Sequence, residues 1–297
     1  MLKIKRLSSN EAFEYSKMTF PAFREILSRL APEGPYFAVG ALFNGLPAGL
    51  ALGKIHEKNN AEVLSIFVVE NFRCRKIGER LLSELEKIFR EKDCIDCGLV
   101  YMTGKPATPF LESLLKKCGF SEPAFRKLVC RASCKSFMRC GWEKHLKKLP
   151  AEYRIISWSE ITENDRKKIK RSNEKKEWIA HDLVPFDYEK GYEPINSLAM
   201  RYREDIVGWV INHRISFDTI RYTCSYLRPD LQKVGRIVAM YYEALLRQNE
   251  VLPFSYGIWT IPSWHTRMID FAKRHMAPHL DSMNETRESF KKFNKIL

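Results

Sequence analysis

The residues best suited to chemistry lie in a short basic turn. Arg73-Cys74-Arg75-Lys76-Ile77-Gly78 follows an apolar run that ends at Val68-Val69, and an amphipathic pattern extends from Lys76 to Lys92. A turn that opens a helix directs unpaired backbone N–H groups at one point, and the helix dipole adds positive potential there. The pattern therefore predicts an anion site that can hold a pyrophosphate group.

The same layout occurs twice, at a constant offset of 159 residues. Gly49, Arg73 and Gly98 in the first half correspond to Gly208, Gln232 and Gly257 in the second half. Around each set of markers the order is a hairpin, a strand, a turn, an amphipathic helix and another apolar strand. We infer that one module was duplicated.

Elements that would position the turn can be predicted in both halves. In the first, two short helices precede a hairpin about Asn44-Gly45, which supplies the positive φ angles that a tight turn requires. The predicted strands and helices are, in order, strands 37–43, 46–55 and 61–69, helix 76–92, strand 98–103, helix 109–118 and strand 125–137; then strands 197–202, 206–215 and 219–227, helix 232–247 and strand 254–261. Residues 284–297 are predicted to form a late helix, and the final strand of the second half is predicted to be missing or supplied differently.

The turn resembles the acetyl-CoA loop of the GNAT superfamily of N-acetyltransferases. The family pattern is Gln or Arg, two residues, Gly, one residue, then Gly or Ala; Arg73 fills the first position, Gly78 fills the last, and Lys76 stands where the first Gly is usual. Residues 1–140 resemble a GNAT domain throughout, ending in the pair Gly119-Phe120. The resemblance implies an α/β (α+β) fold of two consecutive GNAT-like domains, each a mixed, mostly antiparallel sheet flanked by helices, at 1–141 and 153–297 with a linker at 142–152.

Cosubstrate contacts follow from this resemblance. Acetyl-CoA is the implied cosubstrate, and the second copy keeps Gln232 and Gly235 but carries Ile237 at the last position. Lys76 either tolerates a looser approach of the phosphates or contributes its ammonium to them. The implied binding residues are Val68, Val69, Arg73, Cys74, Arg75, Lys76, Ile77, Gly78 and Glu79 in the first copy, and Leu227, Gln232, Lys233, Val234, Gly235 and Arg236 in the second.

Candidate catalytic residues are Glu62 and Tyr101. Glu62 lies on the strand before the turn, where several GNAT enzymes carry a general base, although an exposed strand-edge carboxylate is the alternative. Tyr101 is a substitute for the usual leaving-group acid, because Leu115 stands at the usual position of that tyrosine; the alternative is a core tyrosine. Arg221 replaces Glu62 in the second copy and cannot act as a base, so the first copy is favoured as catalytic while Gly235 keeps the second in contention.

Composition limits the cell compartment and the partners. The 297 residues carry a formal net charge of +14, which would attract phosphorylated cofactors or RNA but is also typical of a solvated basic surface. The eight cysteines, without a secretory signal, indicate reduced thiols and a cytoplasmic protein. Cys94 and Cys97 have metal-ligand spacing, but no second pair completes a site, so no metal is predicted.

The predicted function is transfer of an acetyl or other short acyl group from acetyl-CoA to a primary amine of a small molecule or peptide. One GNAT copy would be catalytic and the other divergent, in a monomer or homodimer without a membrane partner. Two alternatives stay open. One is an aminoacyl-tRNA-dependent transferase of tandem GNAT-like fold, which the basic surface suits; the other is an inactive CoA-binding or scaffold protein.

Overall fold

The computed structural model describes residues 1–57, 59–232 and 235–293 in two compact units. Unit 1 comprises Met1–Arg126 and the chain from Glu285 onward, and unit 2 comprises Lys127–Asn284. These units divide the chain at other places than the predicted boundaries. Residues 127–141 belong to unit 2 although they precede the predicted linker, and the last strand of the chain belongs to unit 1.

Unit 1 is built on a mixed sheet. Neighbouring strands are antiparallel except β4 and β5, which are parallel. The strands, in their order across the sheet, are β1 (Leu2–Arg6), β2 (Tyr36–Phe43), β3 (Leu46–Ile55), β4 (Asn60–Val68), β5 (Asp96–Met102) and β12 (Ser282–Lys292).

Helices cover both faces of this sheet. The apolar face of α3 (Ile77–Glu91) packs on one side through Leu81, Leu82 and Leu85, which are fully buried, beside α4 (Thr108–Lys117). On the other side Ala12 of α1 (Ser9–Ala12) and Leu27 of α2 (Arg24–Leu27) pack with Leu50 and Leu52 of β3. The sheet thus separates an α3–α4 face from an α1–α2 face.

Unit 2 has the same arrangement of strands. Here β10 and β11 are the parallel neighbours, and β6 pairs antiparallel with β11 from Lys127↔Pro262 to Ser133↔Tyr256. The predicted final strand is therefore supplied from sequence that precedes the rest of the unit. The strands across the sheet are β6 (Ala124–Ser133), β11 (Tyr256–Pro262), β10 (Thr219–Leu227), β9 (Asp205–Ser216), β8 (Leu198–Tyr202) and β7 (Tyr153–Ser157); the helices are α5 (Cys134–Phe137), α6 (Glu143–Lys147), α7 (Glu163–Lys175), α8 (Arg236–Val251) and α9 (Thr266–Phe271).

The predicted late helix at 284–297 is wrong. Residues 282–292 form β12, whose ladder with β5 runs from Thr286↔Met102 to Lys292↔Asp96. Gly98 makes room for this strand, because a Cβ at that position would lie 2.8 Å from the ring of Phe290. The helix is predicted from the resemblance to the family's late helix, whereas pairing with β5 and this aromatic contact make the segment a strand. Residues 294–297 lie outside the described part.

The segment predicted as a linker is structured. It contains α6, and Trp142 just before it is only 5% exposed. The indole of Trp142 contacts the rings of Phe137, Tyr241 and Phe271. Through Trp142 this lysine-rich segment packs against Tyr241 of α8.

The repeat is visible in the backbone of both copies. Gly49 pairs with Val68 in unit 1 and Gly208 pairs with Leu227 in unit 2, which keeps the offset of 159. A Cβ at either glycine would lie 2.7 or 2.8 Å from the carbonyl oxygen of the facing strand. On the last parallel strand the pairing shifts by one residue, since Gly98 faces Glu62 whereas Gly257 faces Ile220.

None of the described helices combines the length and apolar character that crossing a bilayer requires.

Candidate functional site

The parallel strands of unit 1 separate after a short pairing. β4 and β5 are paired only from Asn60↔Asp96 to Val63↔Leu99, although both strands continue. A bulge at Leu64 coincides with this point, because Gly53 of β3 faces Val63 whereas the preceding Leu52 faces Ser65. Bulges redirect backbone groups next to active sites. Beyond this point β4 and β5 do not pair with each other, so a gap opens between them toward their C-terminal ends.

The basic turn lies at the end of β4 and leads into α3. Cys74 and Lys76 both have left-handed backbones, with φ of 60° and 59°. Residues 73–76 are exposed, and Lys76 stands immediately before the first helical residue, Ile77, without a side-chain cap. The side chain of Lys76 thus does not cap the first N–H groups of α3, and this is the kind of helix start that can hold an anion.

Arg73 and its counterpart Gln232 make the same hydrogen bond. The Nε of Arg73 donates to the carbonyl of Val68 at 3.2 Å, and Nε2 of Gln232 donates to the carbonyl of Leu227 at 2.8 Å. Each side chain therefore ties its turn to the last residue of the preceding strand. The sequence indicated charge for Arg73 and missed this positioning contact.

The remaining first-copy candidates take different positions around the turn. Arg75 lies over the ring of Phe43 at 5.1 Å, with an exposed side chain. The side chain of Ile77 is buried in the core, and a Cβ on Gly78 would approach Leu114 to 3.3 Å. The carboxylate of Glu79 lies 4.0 Å from Lys117.

Val68 is the last residue of β4, and Val69 follows it. The N–H of Val69 donates to the carbonyl of Ala48 at 3.0 Å, so this amide is already engaged. The half-buried side chain of Val68 packs against the α3-side core. In unit 2 the N–H of Arg228 makes the equivalent bond to Val207 at 2.8 Å.

Glu62 lies on β4 just before the bulge. Its neighbours Ala61 and Val63 are buried toward α3, so the Glu62 side chain projects to the α1–α2 face. Its Oε2 lies 2.9 Å from Nε2 of His56, and the two side chains are 36% and 40% exposed. His56 is a polar partner that sequence analysis missed, because the two residues meet only through the pairing of β3 with β4.

Tyr101 projects to the opposite face. It packs against the α3-side core, and its hydroxyl donates to Oε1 of Glu112 on α4 at 2.7 Å, while Arg287 donates to the same oxygen at 3.1 Å. Burial first, and then the bond to Glu112, raise the pKa of Tyr101. A reaction that used both Glu62 and Tyr101 would have to take place in the gap between the strands.

The second copy opens in the same way and encloses a cavity of about 1310 Å³. Pairing of β10 with β11 ends at Tyr222↔Trp259, and a bulge at Thr223 matches the bulge at Leu64. Leu227 and Gln232 line the cavity, as does Ile237 on the first turn of α8. This space lies within unit 2, and its size was not predicted from the sequence.

In the second copy, His145 packs against Gly235, the residue that corresponds to Lys76. Gly235 has a left-handed φ of 74° like Lys76, but a Cβ there would lie 2.3 Å from Nδ1 of His145 on α6. Arg236 donates to the carbonyl of Leu231 at 3.1 Å and lies over the ring of Tyr153. Lys233 and Val234 lie outside the described residues.

A second His–carboxylate pair lines this cavity. Nε2 of His265 lies 3.1 Å from Oδ2 of Asp182. Burial by itself would raise the pKa of Asp182, but the bonds and charge of His265 outweigh burial and lower it. No spacing in the sequence links these residues, which come together only in the folded unit.

The cysteines form no metal centre in the described part of the chain, where no cluster of three or more potential ligands occurs. All eight are free thiols, and burial raises the pKa of Cys97 to about 12. Buried thiols of this kind behave as small apolar side chains.

A profile of the acetyltransferase (GNAT) family matches residues 3–120. This stretch of the chain is therefore similar in sequence to GNAT-family domains. The match ends at Phe120, where the sequence predicted the end of the late GNAT helix. No curated protein matches the chain by sequence.

Solved structures extend the GNAT fold to the whole chain. A tandem GNAT protein from the clavulanic acid biosynthesis pathway is 11% identical with a TM-score of 0.61, and 98% of each chain is covered. A GCN5-related N-acetyltransferase from Sphaerobacter thermophilus is 12% identical with a TM-score of 0.60, covering 100% of this chain and 98% of that one. The glucosamine N-acetyltransferase region of a fungal multi-domain β-N-acetylglucosaminidase is 9% identical with a TM-score of 0.60, and the match covers 98% of this chain and 38% of that one. The predicted tandem GNAT fold is confirmed.

Proposed function

We propose that this chain transfers an acetyl or other short acyl group from acetyl-CoA to a primary amine of a small molecule or peptide, and that its first GNAT copy is catalytic. The observation that carries the proposal is the exposed, uncapped start of α3, set beside the gap between β4 and β5. Because the cysteines are free, we further propose that the protein works in the reducing cytoplasm.

Pyrophosphate would bind at the start of α3. Backbone N–H groups of residues 77–79 would hold its oxygens, and the charges of Arg75 and Lys76 would strengthen those contacts. Arg73 would act mainly by fixing the turn through its bond to Val68. The thioester would then extend into the gap, where backbone groups past the bulge at Leu64 can polarise its carbonyl.

Glu62 would act as the general base. An alkyl ammonium has a pKa near 10, so it must lose a proton before its nitrogen can attack the thioester carbon. The Glu62 carboxylate is part-exposed beside the gap and would be oriented by His56. Attack forms a tetrahedral intermediate, whose collapse releases the amide and the CoA thiolate.

The thiolate must then be protonated. Tyr101 stays a candidate for that step, but its hydroxyl must first leave Glu112. Water in the exposed gap is the other proton source.

Three features support a divergent second copy. His145 lies over Gly235, Ile237 stands where a small residue would let phosphate approach, and Arg221 stands at the position of Glu62. Each change affects a different part of the reaction: the turn, the helix start and the base.

The test is CoA release with a panel of primary amines and peptide N-termini. We expect Glu62→Gln to lower kcat by about 100-fold to 10,000-fold, the usual contribution of a general base, while leaving acetyl-CoA affinity unchanged. Glu91→Gln removes an exposed carboxylate from α3 and is the matched control. Equal turnover by Glu62→Gln and wild type would contradict the assignment, and transfer only from charged tRNA would favour the aminoacyl alternative.

A further inference from the structure

The cavity of unit 2 passes from one face of its sheet to the other. Tyr241 and Leu245 of α8 line it on one face, and Asp182 and Tyr188 line it on the other. The α8 side packs against Tyr222 and Leu227, whereas the 182–188 segment packs against Cys224 and Tyr226. The gap between the diverging strands β10 and β11 joins the two sides.

The α8 side is aromatic. Trp142, Phe137 and Trp259 contact one another in series, with ring centroids 4.9 and 5.4 Å apart. Tyr241 and Phe271 complete this wall at about 6 Å from Trp142. These edge-to-face rings form an apolar wall that a hydrocarbon or aromatic group can pack against.

The other side and the rim carry unpaired positive charge. Lys127, Arg221 and Arg267 line the cavity, and their side chains have no ion-pair or hydrogen-bond partner among the described residues. Asp182 is the one acidic lining residue in the described part, and it is hydrogen-bonded to His265. The lining therefore has excess positive charge where it meets solvent.

One buried polar atom also lacks a partner. The indole N–H of Trp259, at the join between the two sides, makes no hydrogen bond to any described atom. A buried donor without an acceptor is destabilising unless something supplies one. An oxygen of a bound ligand would do so.

These observations identify a ligand by its chemistry. We propose that the cavity of unit 2 binds an amphipathic carboxylate, with its apolar part among the aromatic rings beside α8 and its carboxylate at Arg221 and Arg267. The covered turn at Gly235 and the side chain of Ile237 disfavour a pyrophosphate-bearing ligand here. This site is separate from the acyl-transfer site proposed in the first copy, so failure of either proposal leaves the other standing.

Dodecanoate and dodecan-1-ol, below the concentration at which dodecanoate forms micelles, are the probes. Both have the same chain, and only the first has a carboxylate. Binding is followed by calorimetry and by the fluorescence of Trp142, Trp259 and Trp264, which line the cavity. We expect dodecanoate to bind at least about tenfold more tightly than the alcohol, as charge-assisted hydrogen bonds imply.

Two variants locate the site. Arg221→Gln combined with Arg267→Gln should weaken dodecanoate binding about tenfold or more and leave dodecan-1-ol binding unchanged. Lys167→Gln combined with Arg171→Gln removes the same charge from the exposed surface of α7 and is the control. Ile237→Trp should narrow the cavity beside the first turn of α8 and weaken binding of both probes, with an unchanged melting temperature showing that the protein is folded.

Several results would overturn the proposal. Equal affinity for the acid and the alcohol would show that the carboxylate contributes nothing to binding. An equal loss of dodecanoate affinity in the α7 control would show that only the net charge of the protein matters. Absence of binding by both probes would reject the site. If acetyl-CoA displaces dodecanoate competitively, and still does so in the Arg75→Glu variant, the cavity is a CoA site.

Discussion

The two GNAT-like copies share one backbone plan but differ at the turn before the long helix and at the gap between the parallel strands. The first presents an exposed basic turn before α3, whereas in the second His145 packs against Gly235 and a cavity of about 1310 Å³ lies beside the parallel strands. Both retain the bulge, the close glycine and the bond from the turn to the last strand residue. Duplication preserved the frame, and side chains then changed what each copy can bind.

This difference depends on a few residues at corresponding positions. Lys76 and Gly235 adopt the same left-handed conformation, but only the second lies beneath another side chain. Glu62 and Arg221 occupy corresponding positions with opposite charge. A family pattern therefore identifies the frame of both copies, while the chemistry of each depends on contacts from elsewhere in its unit.

The largest expected effect concerns residues 142–147, the segment that carries His145. Trp142→Ala removes a buried indole that contacts three rings, so we expect the free energy of unfolding to fall by about 3 to 5 kcal/mol. Urea denaturation measures this change. Trp264→Ala, at a site that is 60% exposed, should change stability by less than about 1 kcal/mol; equal losses in both variants would show that residues 142–147 act as a linker.

A smaller effect tests the contact between His145 and Gly235. Gly235→Ala places a Cβ against His145 and forces alanine into a left-handed φ, which should cost about 1 to 3 kcal/mol of stability. Adding His145→Ala should recover the part of this stability loss that is steric and leave the part that comes from the left-handed backbone. A double-mutant cycle in urea measures the coupling, and strictly additive losses would mean that His145 does not lie over the turn.

The smallest effect comes from making the first turn resemble the second. Lys76→Gly relieves a left-handed lysine, so we expect a gain of about 1 kcal/mol in stability. The same change should weaken acetyl-CoA binding because an ammonium group is lost. Arg75→Gly is the control: it also removes one charge, but Arg75 has no left-handed backbone, so it should not gain stability. A loss of stability in Lys76→Gly would argue against the strained turn.

Local patterns were sufficient to predict much of the frame. Strands 46–55 and 219–227 have the predicted bounds, and α3 differs from the prediction by one residue at each end. Alternation, the Asn-Gly turn and helical spacing are local signals, so single-sequence reasoning can read them. The same reading missed β1 at Leu2–Arg6 and assigned β12 to a helix, because both strands are defined by distant partners.

The sites were predictable only in part. The basic turn is contiguous in sequence, and its family resemblance pointed to residues 68–79. His56 beside Glu62, and Asp182 beside His265, are brought together by pairing and packing across the unit. The cavity likewise arises from strand divergence and from a tryptophan in a lysine-rich segment. Such features depend on tertiary structure and leave no spacing to read.

The most direct test of the account is calorimetric titration of acetyl-CoA into the wild type, Arg73→Glu and Gln232→Glu. Each variant replaces the side chain that ties its turn to the preceding strand and adds negative charge at the same position of its copy. The account predicts one binding site in the wild type, loss of binding in Arg73→Glu and unchanged affinity in Gln232→Glu. Loss in Gln232→Glu alone, or no binding by the wild type, would contradict it.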